Sequence, residues 1–196
     1  MPKFVLVGHS ILGIITLEYA KRYPENVLSV IAIGTVPELS KDQTKLAEDY
    51  WNNNASVKRK ELYASNWMDL TQDSLKKMSP SDAFIVSVVA DAPQRWYDST
   101  YNESQLLSGV QYNVPILIQL ASQDFYIFND STKIKPPVFL AMGKYDFGCP
   151  YTAWERYLPM FNDITFQLFD HSGHVPQTEE AEKFDSLVFT WIDKKK

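Results

Sequence analysis

The stretch that most constrains this chain is Lys3-Phe4-Val5-Leu6-Val7-Gly8-His9-Ser10, followed without a loop by a helical pattern that runs to Tyr23-Pro24. Phe4 to Val7 is an unbroken apolar run, the composition of a strand covered on both faces in a parallel sheet. The helix that follows stops at Pro24, because a proline pushes the residue before it out of the helical region. A serine on so sharp a strand-to-helix turn has its hydroxyl pushed clear of the sheet. The helix start supplies unpaired backbone N–H groups and the positive end of a dipole. The N–H of Ile11 can then meet an oxyanion formed when Ser10 attacks a carbonyl. The rival is a purely structural Gly-Ser turn. What separates the two is whether a base and an acid follow at matching positions.

Val27 to Ile33 is a second buried strand closing at Gly34, so the chain opens as a right-handed parallel strand–helix–strand unit. The character changes after Pro37. From 37 to 135 the chain is polar and aromatic and reads as helices. One opens at the capping box Ser40-x-x-Gln43 and runs through Tyr50-Trp51. Another starts at Ser56, and a third runs from Ser79-Pro80 to Ala90, with Pro93 ending it. Trp96, Tyr97 and Tyr101 cluster their rings on a loop or short helix. Val114 to Leu120 fits either a helix or a strand. Lys135-Pro136-Pro137 marks the return to the sheet. Val138 to Met142 and Ile164 to Phe169 are strands, with a helix around Tyr151 to Tyr157 between them. Phe184, Leu187, Val188 and Trp191 then give the last helix one apolar face. The expected fold class is α/β, a parallel sheet flanked by helices. Its core comes from 1–36 and 136–196, with 37–135 inserted as a helical cap.

Three residues of one chemistry lie just past predicted strand ends, in the order Ser10, Asp146, His174. Ligands of open parallel sheets bind outside those ends. A serine hydroxyl is a weak nucleophile until an imidazole takes its proton. His174 is the candidate base, and Asp146 the acid that fixes its tautomer. Each has a bland rival. Asp146 can simply cap the helix after it, and His174 can be an ordinary loop histidine. His171 competes as base. Gly173, which lets the loop turn sharply, and Pro176, which sets up the next helix, favour His174. His9 reads as packing beside the turn.

Gly8-His9-Ser10, Leu17-Glu18-Tyr19-Ala20 and Tyr23-Pro24-Glu25 resemble the nucleophile elbow and first helix of the α/β-hydrolase fold family, in its proline iminopeptidase-like branch. Gly143-Lys144-Tyr145-Asp146-Phe147, Ser172-Gly173-His174-Val175-Pro176-Gln177 and Ala92-Pro93-Gln94-Arg95-Trp96-Tyr97-Asp98 extend the likeness over nearly the whole chain. The resemblance implies a cofactor-independent serine hydrolase that cleaves a small ester, amide or peptide. Dehalogenases and epoxide hydrolases of similar fold place Asp at the elbow. Two departures stand out. Leu12 occupies the place of the second elbow glycine, with Gly13 one position later, so local packing there is open. The family also places further strands before the nucleophile strand, and a loop among them gives a second oxyanion N–H. The expectation is therefore a C-terminal portion lacking the first strands, whose Phe4–Val7 edge pairs with an N-terminal half or a second copy. The alternative is a truncated, non-catalytic protein that binds a small apolar ligand or a partner chain.

The net charge of −5 carries no basic block beyond Lys194-Lys195-Lys196, read as a solvated tail, so nucleic acid is not an expected partner. No apolar run reaches the length of a membrane span, no signal peptide is expected, and a cytoplasmic location follows as the expectation. The lone Cys149 reads as a space-filler and excludes an intrachain disulfide. Three histidines without a matching ligand spacing give no metal pattern.

Overall fold

The computed structural model describes residues 2–195. Four strands, β1 (Phe4–His9), β2 (Val27–Ile33), β5 (Val138–Gly143) and β6 (Ile164–Phe169), form a parallel sheet in the order β1-β2-β5-β6. Helix α1 (Ile11–Arg22) joins β1 to β2. Between β2 and β5 the chain runs through two short strands, β3 (Glu38–Leu39) and β4 (Phe125–Tyr126), and a set of α-helices. These are α2 (Lys41–Asn54), α3 (Val57–Met68), α4 (Gln72–Leu75), α5 (Pro80–Ala90), α6 (Ala92–Arg95) and α7 (Val114–Ala121). The C-terminal part adds α8 (Pro176–Glu179) and α9 (Ala181–Asp193).

Alternation along β2 and β5 explains the layers. Val30, Ala32, Leu140 and Met142 face one side, where Ile14, Leu17 and Ala20 of α1 and the buried Trp154 cover them. Ile31, Ile33, Phe139 and Ala141 face the other, where Phe184, Val188 and Trp191 of α9 lie. Both faces of the central strands are therefore dry, as their unbroken apolar runs require. The register places the strand ends side by side: His9 pairs with Ile33, and Ile33 with Ala141. β1 lies at the sheet edge, with Phe4 42% and Val7 61% exposed.

Several details differ from the sequence-based expectation. Pro93 does not end α5, which stops at Ala90; it sits in the first turn of α6, where its missing N–H costs nothing. Val114 to Ala121 is a helix, capped by the Asn113 side chain accepting from Ile116 N–H. Tyr151–Met160 is a 3₁₀ helix, with Pro159 inside it. The antiparallel β3–β4 pair has no counterpart in the sequence pattern. Buried Glu38 anchors it, accepting from Tyr157 and pairing with Arg156. Lys195 is not free in solvent: it pairs with Asp163 and lies over the Trp191 ring. Lys196 falls outside the described residues.

Candidate active site

Ser10 occupies the N-cap position of α1 with φ +56° and ψ −132°. Among the described residues it is the one non-glycine with a positive φ. Such a backbone costs about 1–3 kcal/mol and persists only where the surroundings impose it. Here they do. A Cβ on Gly8 would lie 2.6 Å from the Leu12 carbonyl oxygen, and one on Gly13 would lie 2.7 Å from Thr35 Cβ. The missing side chains let the helix close directly onto β1 and β2. Leu12 creates no crowding, because its side chain turns outward and is 55% exposed. Gly13 makes the close contact one position later.

Other serines in the same chain show what is unusual. Ser40, Ser56 and Ser79 precede helices in extended conformations, and each side chain accepts a hydrogen bond from a helix N–H. That is ordinary N-capping. The Ser10 hydroxyl makes no capping bond. Its backbone N–H donates to Ile33 O at 2.9 Å, which ties the turn to the end of β2. Ile11 is the first residue of α1, so its N–H has no partner one turn earlier in the helix.

His174 and Asp146 meet directly, with Nδ1 2.7 Å from Asp146 Oδ2, and both side chains are buried. The other carboxylate oxygen accepts from Cys149 N–H at 2.8 Å. Asp146 thus fixes its own turn with one oxygen and His174 with the other. This bond leaves His174 Nε2 as the free ring nitrogen. Gly34 makes room for the histidine: at φ +50°, a Cβ there would lie 2.5 Å from His174 O and 3.2 Å from Nδ1.

Ser10 sits at this same rim. The ring of its neighbour His9 packs 4.6 Å from that of His174, and His9 Nε2–H donates to the His174 carbonyl at 2.9 Å. Among the described residues, no hydrogen bond joins the Ser10 hydroxyl to His174. Burial first, then the neighbouring His174, lowers the pKa of His9 to about 4, so His9 is neutral and serves as a donor. His171 is exposed and packs its ring against Tyr97.

Donor atoms of Asp146, Cys149 and His174 lie within 4.8 Å of one another. Asp146 and His174 are already committed to each other. Burial holds the Cys149 thiol well above its usual pKa, so the thiolate a metal needs is disfavoured.

A cavity of about 480 Å³ opens between the end of β2, α2, α7 and the Gly148–Cys149 turn. Val36, Leu39 and Ala47 give it an apolar wall, and Gln43, whose Nε2 has no partner, lines it as well. His9 packs beside the turn as the sequence suggested. Sequence reasoning placed Gln43 only in a helix cap and Gly34 only at a strand end, and missed that the first lines the cavity and the second makes room for His174.

The family model of the α/β-hydrolase fold matches residues 1–181. The chain belongs to the α/β-hydrolase fold family. Over 192 residues it is 28% identical to the AB hydrolase superfamily protein YclE of Bacillus subtilis (strain 168), covering 96% of this chain and 68% of that one. A proline iminopeptidase of Clostridioides difficile (strain 630) is 27% identical over 147 residues, 72% of this chain and 41% of its own. Among solved structures, that of VinJ superposes with a TM-score of 0.70 at 15% identity, covering 99% of this chain and 67% of that one. Proline iminopeptidase of Mycobacterium smegmatis gives 0.64 at 14% identity, with 100% and 66% covered. At these identities the superpositions speak for the hydrolase fold alone. The chain spans about two thirds of the length of most of these relatives. Among the described residues, no helix is long and apolar enough to cross a membrane.

Proposed function

We propose that this α/β-hydrolase is a serine hydrolase of proline iminopeptidase-like type, cleaving a small ester, amide or short peptide. Ser10 is the nucleophile, His174 the base, Asp146 its orienting acid, and Ile11 N–H an oxyanion donor. Ser10 Oγ bonds to the substrate carbonyl carbon as its proton passes to His174 Nε2. The carbonyl oxygen becomes an oxyanion facing Ile11 N–H. Collapse breaks the bond to the leaving amine or alcohol, which takes the proton from His174. Water, deprotonated by the same imidazole, then hydrolyses the acyl-serine. Asp146 stabilises the imidazolium in both halves.

The observation that carries this reading is the strained Ser10 at the start of α1, with its hydroxyl withheld from capping. The cavity between α2 and α7 is the proposed place for the substrate's side group: it reaches Cys149, whose N–H bonds Asp146, and Gln43 offers it an N–H. The iminopeptidase among the relatives supports trying N-terminal prolyl amides first. A cytoplasmic location and the absence of any cofactor belong to the same reading. Turnover of a prolyl p-nitroanilide and of a p-nitrophenyl acyl ester, each lost in Ser10→Ala, is the expected result. Turnover that survives Ser10→Ala would refute it.

A second reading is a non-catalytic binder of a small apolar ligand. The exposed β1 edge favours it, and among the described residues Ile11 N–H is the one oxyanion donor assigned here. Folded chain that binds an apolar ligand without hydrolysing either substrate would support it.

A further inference from the structure

The Asp146 and His174 loops are not held by the sheet alone. The segment Pro93 to Tyr97, a strap running from α6 into the loop after it, is stitched to both. Phe147 N–H, next to Asp146, donates to Gln94 O at 2.9 Å. His174 N–H donates to Arg95 O at 2.6 Å. Gly173 allows that approach, because a Cβ there would fall 2.1 Å from Arg95 O. From the far side Arg59 of α3 donates to the carbonyls of Pro93, Trp96 and Tyr97, each at 2.7 Å.

One side chain closes the ring. Glu179, at the end of α8, accepts from Tyr97 N–H through Oε1 at 2.6 Å and from Gly173 N–H through Oε2 at 2.6 Å. Its two oxygens bridge the strap and the residue immediately before His174. We propose that Glu179 is a positioning residue, whose carboxylate locks the strap onto the His174 loop and so sets where the imidazole stands against Asp146 and Ser10. It touches no reacting atom. This inference rests on the Ser10–His174–Asp146 reading for its functional consequence, and on geometry alone for its structural one.

Both backbone donors need an acceptor, so the lock works in the ionised form. Burial raises the carboxyl pKa to about 7, against the pull of the N–H groups of Tyr97, Gly173 and Val175; Asp146 raises it further. Asp98 and His171 line the same small cavity, and Arg59 faces it from α3. On acidification through neutrality the carboxyl gains a proton, one oxygen stops accepting, and the lock loosens. The folded state then binds a proton that the unfolded state takes up only near pH 4.5. This group therefore favours unfolding as the pH rises through that window, while it favours catalysis.

The test compares wild type with Glu179→Gln, which keeps size and loses one acceptor, and with exposed Glu182→Gln as control. The expected result at pH 8 is a kcat about ten- to a hundredfold lower in Glu179→Gln, as for a misplaced catalytic group, with no loss of thermal stability. Its pH profile should lose the ionisation near pH 7 that Glu179 contributes in wild type. The second readout needs no activity. The low-field proton resonance of His174 Nδ1–H, identified by its absence in His174→Gln, should shift or broaden in Glu179→Gln and stay put in Glu182→Gln. If wild type hydrolyses nothing, the triad reading fails while this resonance still decides on Glu179. An unchanged resonance in folded Glu179→Gln overturns the proposal. Should that variant not fold, Glu179→Asp, one methylene shorter, takes its place: a shifted resonance supports the lock and an unchanged one overturns it.

Discussion

At the scale of single residues, the decisive contrast is between Ser10 and the three serines that cap helices in the usual way. All four stand before helical patterns, and sequence distinguishes them only by what precedes them. At Ser10 the chain turns from strand to helix with no connecting loop, α1 closing in at Gly8 and Gly13, and the backbone takes a positive φ. Glycine adopts that backbone freely, whereas alanine keeps the strain. Ser10→Gly should therefore unfold at higher urea than Ser10→Ala, by about 1–2 kcal/mol, though both lack the hydroxyl. Equal stability would mean the turn is not strained. Gly34 offers a second check: Gly34→Ala should displace His174 and lower kcat by about a hundredfold or more. His9 tests the buried surroundings. Folded, it stays neutral down to about pH 4, while the unfolded chain takes up a proton near its ordinary 6.5. The unfolded state thus binds more protons in that window, and stability falls as the pH drops through it. The loss amounts to on the order of 3 kcal/mol. Urea titrations at pH 7 and pH 4.5 should show a smaller difference for His9→Gln than for wild type.

At the scale of elements, what was legible depended on whether one chain face meets another. α9 was readable because Phe184, Val188 and Trp191 all bury against one side of the sheet. Trp191 also packs its ring 5.5 Å from Phe139 and donates Nε1–H to Thr165 at 2.9 Å. Trp191→Ala should cost about 3–5 kcal/mol, seen as a lower urea midpoint at unchanged slope. α7 was ambiguous for the opposite reason. It buries no residue, leaving Ile116 and Ile118 more than half exposed, so no periodic face is imprinted on its apolar run. Its cap, Asn113 with Pro115 in the first turn, was the usable signal. The β3–β4 pair is two residues long on each side, too short for alternation to register, and hangs on contacts of Glu38 more than a hundred residues distant in sequence. The Glu179 and Arg59 stitches were invisible for another reason: they bind backbone atoms, which leave no trace in side-chain pattern.

At the scale of the whole molecule, the parallel sheet and the Ser, Asp, His order were legible because each site residue follows a strand whose composition is unmistakable. Composition alone does not order the strands, but the family resemblance led to the expectation that Phe4–Val7 lies at an edge. β1 is indeed outermost, and its neighbourhood exposes Phe4, Val7, Leu12 and Ile15. An unpaired apolar edge recruits another strand. We expect this chain by itself to associate with a second copy through β1, with light scattering giving at least twice the monomer mass. Val7→Lys, which places a charge on that edge, should restore the monomer; a wild-type monomer would count against pairing through β1.

The central claim is that Ser10 is a nucleophile activated by the His174–Asp146 pair. The most direct measurement is the rate and site of reaction with a fluorophosphonate, read by peptide mass spectrometry on folded protein. The account predicts one adduct, on Ser10, absent in Ser10→Ala and formed far more slowly in His174→Gln and Asp146→Asn. An adduct elsewhere, or labelling of Ser10 that is indifferent to loss of His174, would contradict it.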